Sequence, residues 1–352
     1  MSSIYIHIPD VSDLKLKKKI ESAILKEINI RYNELNENVV HSIYIKSPKT
    51  HLLSSNFLEA LISRLNNYFL FENKLEITLE LDVNNIKTDN LKKINKTKVN
   101  RLSCRTYSLL CSYFSNEKAD DFFFEKLSLV SKFFKNFSID VLFGIPNLSK
   151  ETLDNFLKKL NEKNPPHVTL EEFNNTFNNL SNQCISVDKS LVIDQYNFCC
   201  EKFIEYGFEQ YEYLNFSRGG NYSKQNLNYL NRLPYLGFGP SACSFFNESR
   251  SINITAPSDY LLEINKCQKP LNIEYLSEKD IYNETIMTGL SVSKGLSLEE
   301  IKKKFKSFNS YFLSKVKKHL CLENIYLEKN FVKVNQKYKY STDEIVSDFF
   351  KD

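Results

Sequence analysis

The sequence predicts an α/β chain: an open (β/α)6 barrel of the partial TIM type, followed by a small helical, winged-helix-like C-terminal module. Three observations lead there. Short β-branched or aromatic runs alternate six times with longer amphipathic segments along residues 1–207. Consecutive parallel strands need crossover connections, which such helices supply. The pattern then dissolves after Gly207 and turns helical again from about residue 258. The apolar share of 42% against 26% charge, over 352 residues, fits a chain that buries a core.

The elements follow in order. "IYIHI" (4–8) reads as a strand, and residues 13–34 as a helix with Leu16, Ile20, Ile24 and Ile28 on one face. "SIYIK" (42–46) is the second strand, and 53–69 a helix faced by Phe57, Leu61 and Leu65. "LEITLEL" (75–81) and "VNRLSC" (99–104) are strands three and four, with a short helix between them. "FSIDVLFGIP" (137–146) is the fifth, and Ser149 with Thr152 marks the entry to its helix. "HVTLEEF" (167–173) and a long helix over 187–206 complete the sixth unit. In such a barrel, sites lie at the C-terminal ends of the strands.

Residues 208–257, rich in Gly, Asn and Tyr, read as an irregular segment packed at the barrel mouth. Helices are expected over 259–266, 277–291, 297–305, 309–321 and from Ser341, with two wing strands, "IYLEK" and "FVKVN". The expected units are therefore 1–207, 208–257 and 258–352.

Charge and composition narrow the function. A net charge of +4 gives no electrostatic case for nucleic acid, and the lysine runs at 15–19 and 302–306 read as solvated faces. No apolar run reaches the ~18 residues of a membrane span. The chain opens on a strand rather than a signal-peptide pattern, so the cytoplasm is its expected compartment. Eight cysteines, at 104, 111, 184, 199, 200, 243, 267 and 321, form no CxxC and read as reduced thiols. With 27 Phe, 20 Tyr and no Trp, the composition is that of drift in an AT-biased genome, in which motifs erode.

Six stretches carry a resemblance: "SIYIHIP", "VNRLS", "SIDVLFGIPNLSKETL", "FEQYEYLNFS", "NLNYLNRLPYLGFGPSA" and "NETIMTGL". In this order and spacing the chain resembles the HemW-type haem chaperones, radical S-adenosylmethionine proteins related to oxygen-independent coproporphyrinogen III oxidase. The likeness covers essentially the whole chain. It implies a barrel of the radical-SAM type, a [4Fe–4S] cluster on a CxxxCxxC loop after the first strand, S-adenosylmethionine on its open iron, and haem.

The chain departs from that pattern where the chemistry would sit. No cysteine precedes Cys104, and the connection from Pro9 to the first helix is shorter than the family's. Three soft thiolates are what an iron–sulfur cluster needs. The family's Gly-rich turn after strand two is matched here by Lys46, Ser47, Pro48, Lys49 and Thr50. Its Gly-x-Gln-Ser after strand four is matched by Arg105, Thr106, Tyr107 and Ser108. The haem-linked His-Asn-x-x-Tyr-Trp is matched by Gln225, Asn226, Leu227, Asn228, Tyr229 and Leu230, and the family's Ser-Ala-His by Ser241, Ala242 and Cys243.

Other matched positions are kept: Tyr5, His7, Glu80, Arg101, Asp140, Gly144, Ile145, Pro146, Glu209, Tyr211, Glu212, Asn226, Tyr229, Gly237 and Gly239. On the resemblance, Tyr5, His7, Glu80, Arg101, Asp140 and Ile145 form a remnant S-adenosylmethionine pocket, and Asn226, Tyr229 and Cys243 a haem region. On the residues alone, Tyr5 and His7 fill the barrel mouth, hydrogen-bonded to Asp140 or Glu80, and Cys199 and Cys200 are packing.

The expectation is a HemW-like protein without radical catalysis, with cluster and S-adenosylmethionine lost, no metal ligands, and haem or porphyrin as its partner. Two alternatives stand beside it. One is an active radical enzyme with an atypical cluster drawing on Cys104 and Cys111; the other is a non-catalytic binding or assembly module.

Overall fold

The computed structural model describes residues 1–35, 39–47, 53–105, 118–173 and 188–351. Six parallel strands form the centre: β1 (Ser2–His7), β2 (Val40–Lys46), β3 (Phe71–Asp82), β4 (Arg101–Arg105), β5 (Phe137–Phe143) and β6 (His167–Glu172). Between and after them run α1 (Leu14–Arg31), α2 (Ser55–Tyr68), α3 (Thr88–Asn95), α4 (Lys118–Phe133), α5 (Lys150–Glu162) and α6 (Lys189–Glu205). All six expected strands form. Among the described residues, helix α4 is a barrel element the sequence reading left out, although Phe123, Phe124, Leu127 and Val130 are buried on one face of it.

Each strand alternates. Ile4 and Ile6, Ile43 and Ile45, Ile77, Leu79 and Leu81, Leu102 and Cys104, and Ile139 and Val141 all join the core packed under the helices. The intervening residues, Ser3, Ser42, Glu76, Thr78, Glu80, Arg101, Ser103, Ser138, Asp140 and His167, are polar and also buried. With a side-chain period of two, one face of every strand thus meets helices and the other a polar bore. Helix α1 shows the outer layer well. Ile20, Ile24 and Ile28 have no exposed surface, each stabilising the fold by about 2 kcal/mol. Asp13 caps the helix, accepting from the Lys15 N–H at 2.8 Å. Ser149 does the same for α5, accepting from Thr152 N–H at 3.1 Å.

The stretch 208–257 is not irregular. It supplies β7 (Glu209–Glu212), β8 (Asn215–Ser217), α7 (Lys224–Leu230), β9 (Tyr235–Phe238), β10 (Cys243–Phe246) and β11 (Ser249–Asn253). After these come α8 (Pro257–Asn265) and β12 (Leu271–Tyr275). The twelve strands form one sheet, ordered β12-β11-β10-β9-β1-β2-β3-β4-β5-β6-β8-β7. Strand β9 runs parallel to β1, and the remaining additions are antiparallel. These strands have only three to five residues each, too few for a period-two signal to be read.

Helix α8 packs on α1 through Tyr260, Ile264 and Ala23, and β12 pairs with β11, so 257–275 lie with the barrel sheet. A second core begins at Ile281 and runs to Phe349. It is built from α9 (Glu278–Ser291), α10 (Leu298–Lys304), α11 (Asn309–Cys321), α12 (Thr342–Asp348) and a three-stranded sheet. That sheet is ordered β13 (Leu296–Ser297), β15 (Phe331–Val334), β14 (Ile325–Glu328). The module is joined to the sheet end by backbone bonds, Tyr213 N–H to Ser291 C=O at 3.1 Å and Ser293 N–H to Tyr211 C=O at 3.0 Å. Among the described residues no helix is long and apolar enough to cross a membrane.

Candidate functional site

The polar bore opens at the C-terminal ends of β2–β6 into a cavity of about 380 Å3. Tyr44, Glu80, Arg101, Arg105, Asp140, His167, Glu171 and Asn226 line it. The Tyr44 hydroxyl donates to Glu80 Oε2 at 2.9 Å. Arg105 Nε lies 3.8 Å from Glu80 Oε2 and 3.9 Å from Asp140 Oδ2. Deeper in, Arg101 Nε lies 3.9 Å from Glu76 Oε2, both side chains almost wholly buried. On the far wall His167 Nε2 and the Tyr211 hydroxyl share a hydrogen bond at 2.8 Å. Asn226 Nδ2 donates to Asn215 Oδ1 at 3.2 Å, and the Thr169 hydroxyl to the same oxygen at 2.9 Å.

The electrostatics follow from crowding carboxylates in a sheltered place. Burial, then the neighbouring Glu171, raise the Asp140 carboxyl to about 7. Burial also raises Glu171 itself, against the pull of Arg105. Burial pushes His167 well below its ordinary value, with Arg101 adding to the shift, so its ring is neutral. Such a cavity can hold a cation against its carboxylates and hydrogen-bond a polar ligand along its Asn and Tyr wall.

The structure brings Glu80, Arg101 and Asp140, expected in one pocket, together in the bore, and Asn226, expected in a separate region with Tyr229 and Cys243, lines the same cavity. Tyr5 stands beside the bore, stacked on Tyr44 at 6.2 Å and on His7 at 6.3 Å. Burial, then the Glu80 carboxylate, push its phenol up.

His7 does not bond Asp140 or Glu80. Its Nδ1 donates to the Pro240 carbonyl at 2.5 Å, because β9 lies against β1 and delivers the turn 239–242 over the strand end. The Glu80 partner expected of the first strand comes from β2 instead, as Tyr44. Ile145 is fully buried, and the Gln195 side chain holds its peptide on both sides, at 2.9 Å each. Tyr229 packs edge-on to Tyr235 at 4.8 Å, in a separate recess of about 370 Å3 that also has Arg232, Phe245, Arg250 and Glu284 in its wall. Cys243 is half-buried on β10, and burial raises its thiol.

Tyr44, Arg105, Glu171 and His167 are site residues that the sequence reading did not select. The signal was there: the polar residue at every second position of strands otherwise made of Ile, Leu and Val.

Among the described residues, those at the end of β1 do not fit a [4Fe–4S] cluster. Strand β1 passes to α1 through Ile8–Asp13, where Ile8 N–H donates to Lys46 C=O at 2.9 Å, Val11 packs on the core and Asp13 caps the helix. None of these is a thiol. Cys104 is sealed in the core on the helix side of β4, and burial raises its thiol far above the ordinary range. Among the described residues no three His, Cys, Asp or Glu side chains converge as metal ligands. Cys111, Cys184, the matched turn residues Pro48, Lys49 and Thr50, and Thr106, Tyr107 and Ser108 lie outside the described residues.

Comparison with known proteins agrees with the fold. No family model matches the chain. It is 24% identical over 361 residues to a protein of Lactococcus lactis named heme chaperone HemW, covering 97% of this chain and 91% of that one. A Bacillus subtilis protein of the same name is 25% identical over 346 residues, covering 90% of each. Among solved structures, coproporphyrinogen III oxidase (HemN) from Escherichia coli, described as a radical SAM enzyme, superposes with a TM-score of 0.81. That superposition covers 99% of this chain and 89% of the other at 18% identity. In sequence the chain is similar to the proteins named heme chaperone HemW, and in fold it is similar to coproporphyrinogen III oxidase (HemN).

Proposed function

We propose that this chain is a HemW-like protein that holds haem or a related porphyrin and performs no radical chemistry. The observation that carries the reading is the connection Ile8–Asp13. It is a short, packed turn with no thiolate, at the strand end where the resemblance calls for a cluster loop. The relatives' shared name supports haem as the ligand class. Asn226, Tyr229 and Cys243 are the residues we assign toward it. Tyr5, His7, Glu80, Arg101, Asp140 and Ile145 we assign to a former cofactor pocket, now serving the barrel's own packing and charge balance. In this reading the barrel with its flanking strands forms one unit, the C-terminal module from about residue 276 forms another, and the protein works in the cytoplasm.

Anaerobic reconstitution with iron and sulfide, followed by haem titration, tests it. The expected result is no stoichiometric four-iron absorbance and a haem band that Cys243→Ala abolishes. A stoichiometric cluster with its electron paramagnetic resonance signal would overturn the loss of radical chemistry. Absence of any haem band would leave a binding module with another ligand.

A further inference from the structure

Among the described residues that line the bore, carboxylates outnumber cations. Glu80 from β3, Asp140 from β5 and Glu171 and Glu172 from β6 face it, with Tyr44 from β2. On the other side stand two arginines of β4, and they are not equivalent. Arg101 is 1% exposed and lies deep beside its own carboxylate, Glu76. Arg105, the last residue of β4, is 41% exposed at the side chain, and its Nε sits between Glu80 and Asp140 at 3.8 and 3.9 Å. From that atom both distances exceed a hydrogen bond, so the group is held at the mouth by charge rather than by a tight fork.

We propose that Arg105 is the resident cation of this cavity: its guanidinium occupies the place between Glu80 and Asp140 that an organic cation would take, and thereby excludes such ligands. The proposal goes beyond the haem reading and does not depend on it. Three features support it. The two carboxylates it bridges come from different strands and converge on one point, as a site for one cation requires. Asp140 rises to about 7 first through burial and then through Glu171, with Arg105 pulling against both, so removal of Arg105 takes away positive charge that favours the ionised carboxylate. And Arg105 is exposed enough to leave without unpacking the core, which Arg101 is not.

The test is chemical replacement in the full-length protein. Methylguanidinium chloride is titrated by calorimetry at pH 8 into the unaltered protein, Arg105→Ala and Arg105→Ala/Glu80→Gln, with neutral methylurea as the isosteric control. The expected result is binding to Arg105→Ala at least tenfold tighter than to the unaltered protein. That binding should be lost in the double variant and absent for methylurea. It should also weaken as pH is lowered and Asp140 takes up its proton. Arg105→Met retains the apolar stem and replaces Arg105→Ala if circular dichroism shows the latter unfolded. Equal binding by the unaltered protein, or no binding by a folded Arg105→Ala or Arg105→Met, overturns the proposal.

Discussion

A side chain on Gly239 would place its first carbon 2.0 Å from the carbonyl oxygen of His7. The contact ties the end of β1 to a turn more than two hundred residues later, and with φ of +100° only glycine suits it. A first side-chain carbon on Gly237 would likewise lie 2.1 Å from the Cys243 carbonyl oxygen. Gly239→Ala is therefore expected to cost about 3 kcal/mol or to prevent folding, read as a fall in the urea midpoint. An unchanged midpoint would mean that β9 does not lie against β1 as described.

The same turn is fixed from the helix side by a buried carboxylate. Glu27 accepts from Arg31 Nη1 and Asn253 Nδ2 at 2.7 Å each, from Gly239 N–H at 2.8 Å and from the Tyr260 hydroxyl at 2.7 Å. Arg31 in turn donates to the Gly237 carbonyl at 2.8 Å. Both side chains of the pair are fully buried. Breaking such a pair strands the other charge, so Glu27→Ala is expected to destabilise by about 3–5 kcal/mol. Equilibrium unfolding in urea measures it, and a loss below about 1 kcal/mol would contradict the network.

Two aspartates set opposite pH dependences. Asp140 rises from 3.8 to about 7 in the fold, so between those values the native state binds the proton more tightly than the unfolded chain. Its contribution is complete at low pH and is lost as pH rises toward 7. Asp348 is held far below its ordinary value by Lys318, against a burial penalty, with Lys315 and His319 assisting. Its contribution is present at neutral pH and is lost as pH falls below the ordinary carboxylate range. Asp140→Asn should flatten the decline in stability from pH 4 to 7, and Asp348→Asn should flatten the acid limb. Urea midpoints across pH 3–8 check both, and an unaltered profile for either variant would refute its assignment.

The thiols sort by burial. Cys104, Cys199 and Cys200 are buried, and burial raises all three, Cys200 to about 12. Cys267 and Cys321 are exposed. Iodoacetamide labelling mapped by mass spectrometry should mark Cys267 and Cys321 in the native protein and reach the other three only in urea. Native labelling of Cys104 would place β4 wrongly.

Much of this was legible from spacing. Ile20, Ile24 and Ile28 announced α1, and the Ser149 cap announced α5, because each rests on residues within a few positions of one another. The short strands of 209–253 were not legible, since three to five residues carry no period and their pairing partners lie far away in sequence. The bore was half legible. Glu80, Arg101 and Asp140 were selected, while Tyr44, Arg105 and Glu171 needed the register of β2, β4 and β6 to place them.

The sequence by itself determined that no thiolate stands between β1 and α1, because ligand chemistry is a property of residue type and no fold can supply a missing sulfur. It also determined the six β/α repeats, through hydrophobic period. Only the tertiary structure decided that His7 turns to Pro240 rather than to the bore, and that Arg105 stands between Glu80 and Asp140. Those relationships depend on strand order and register, which bring together side chains that local sequence leaves far apart.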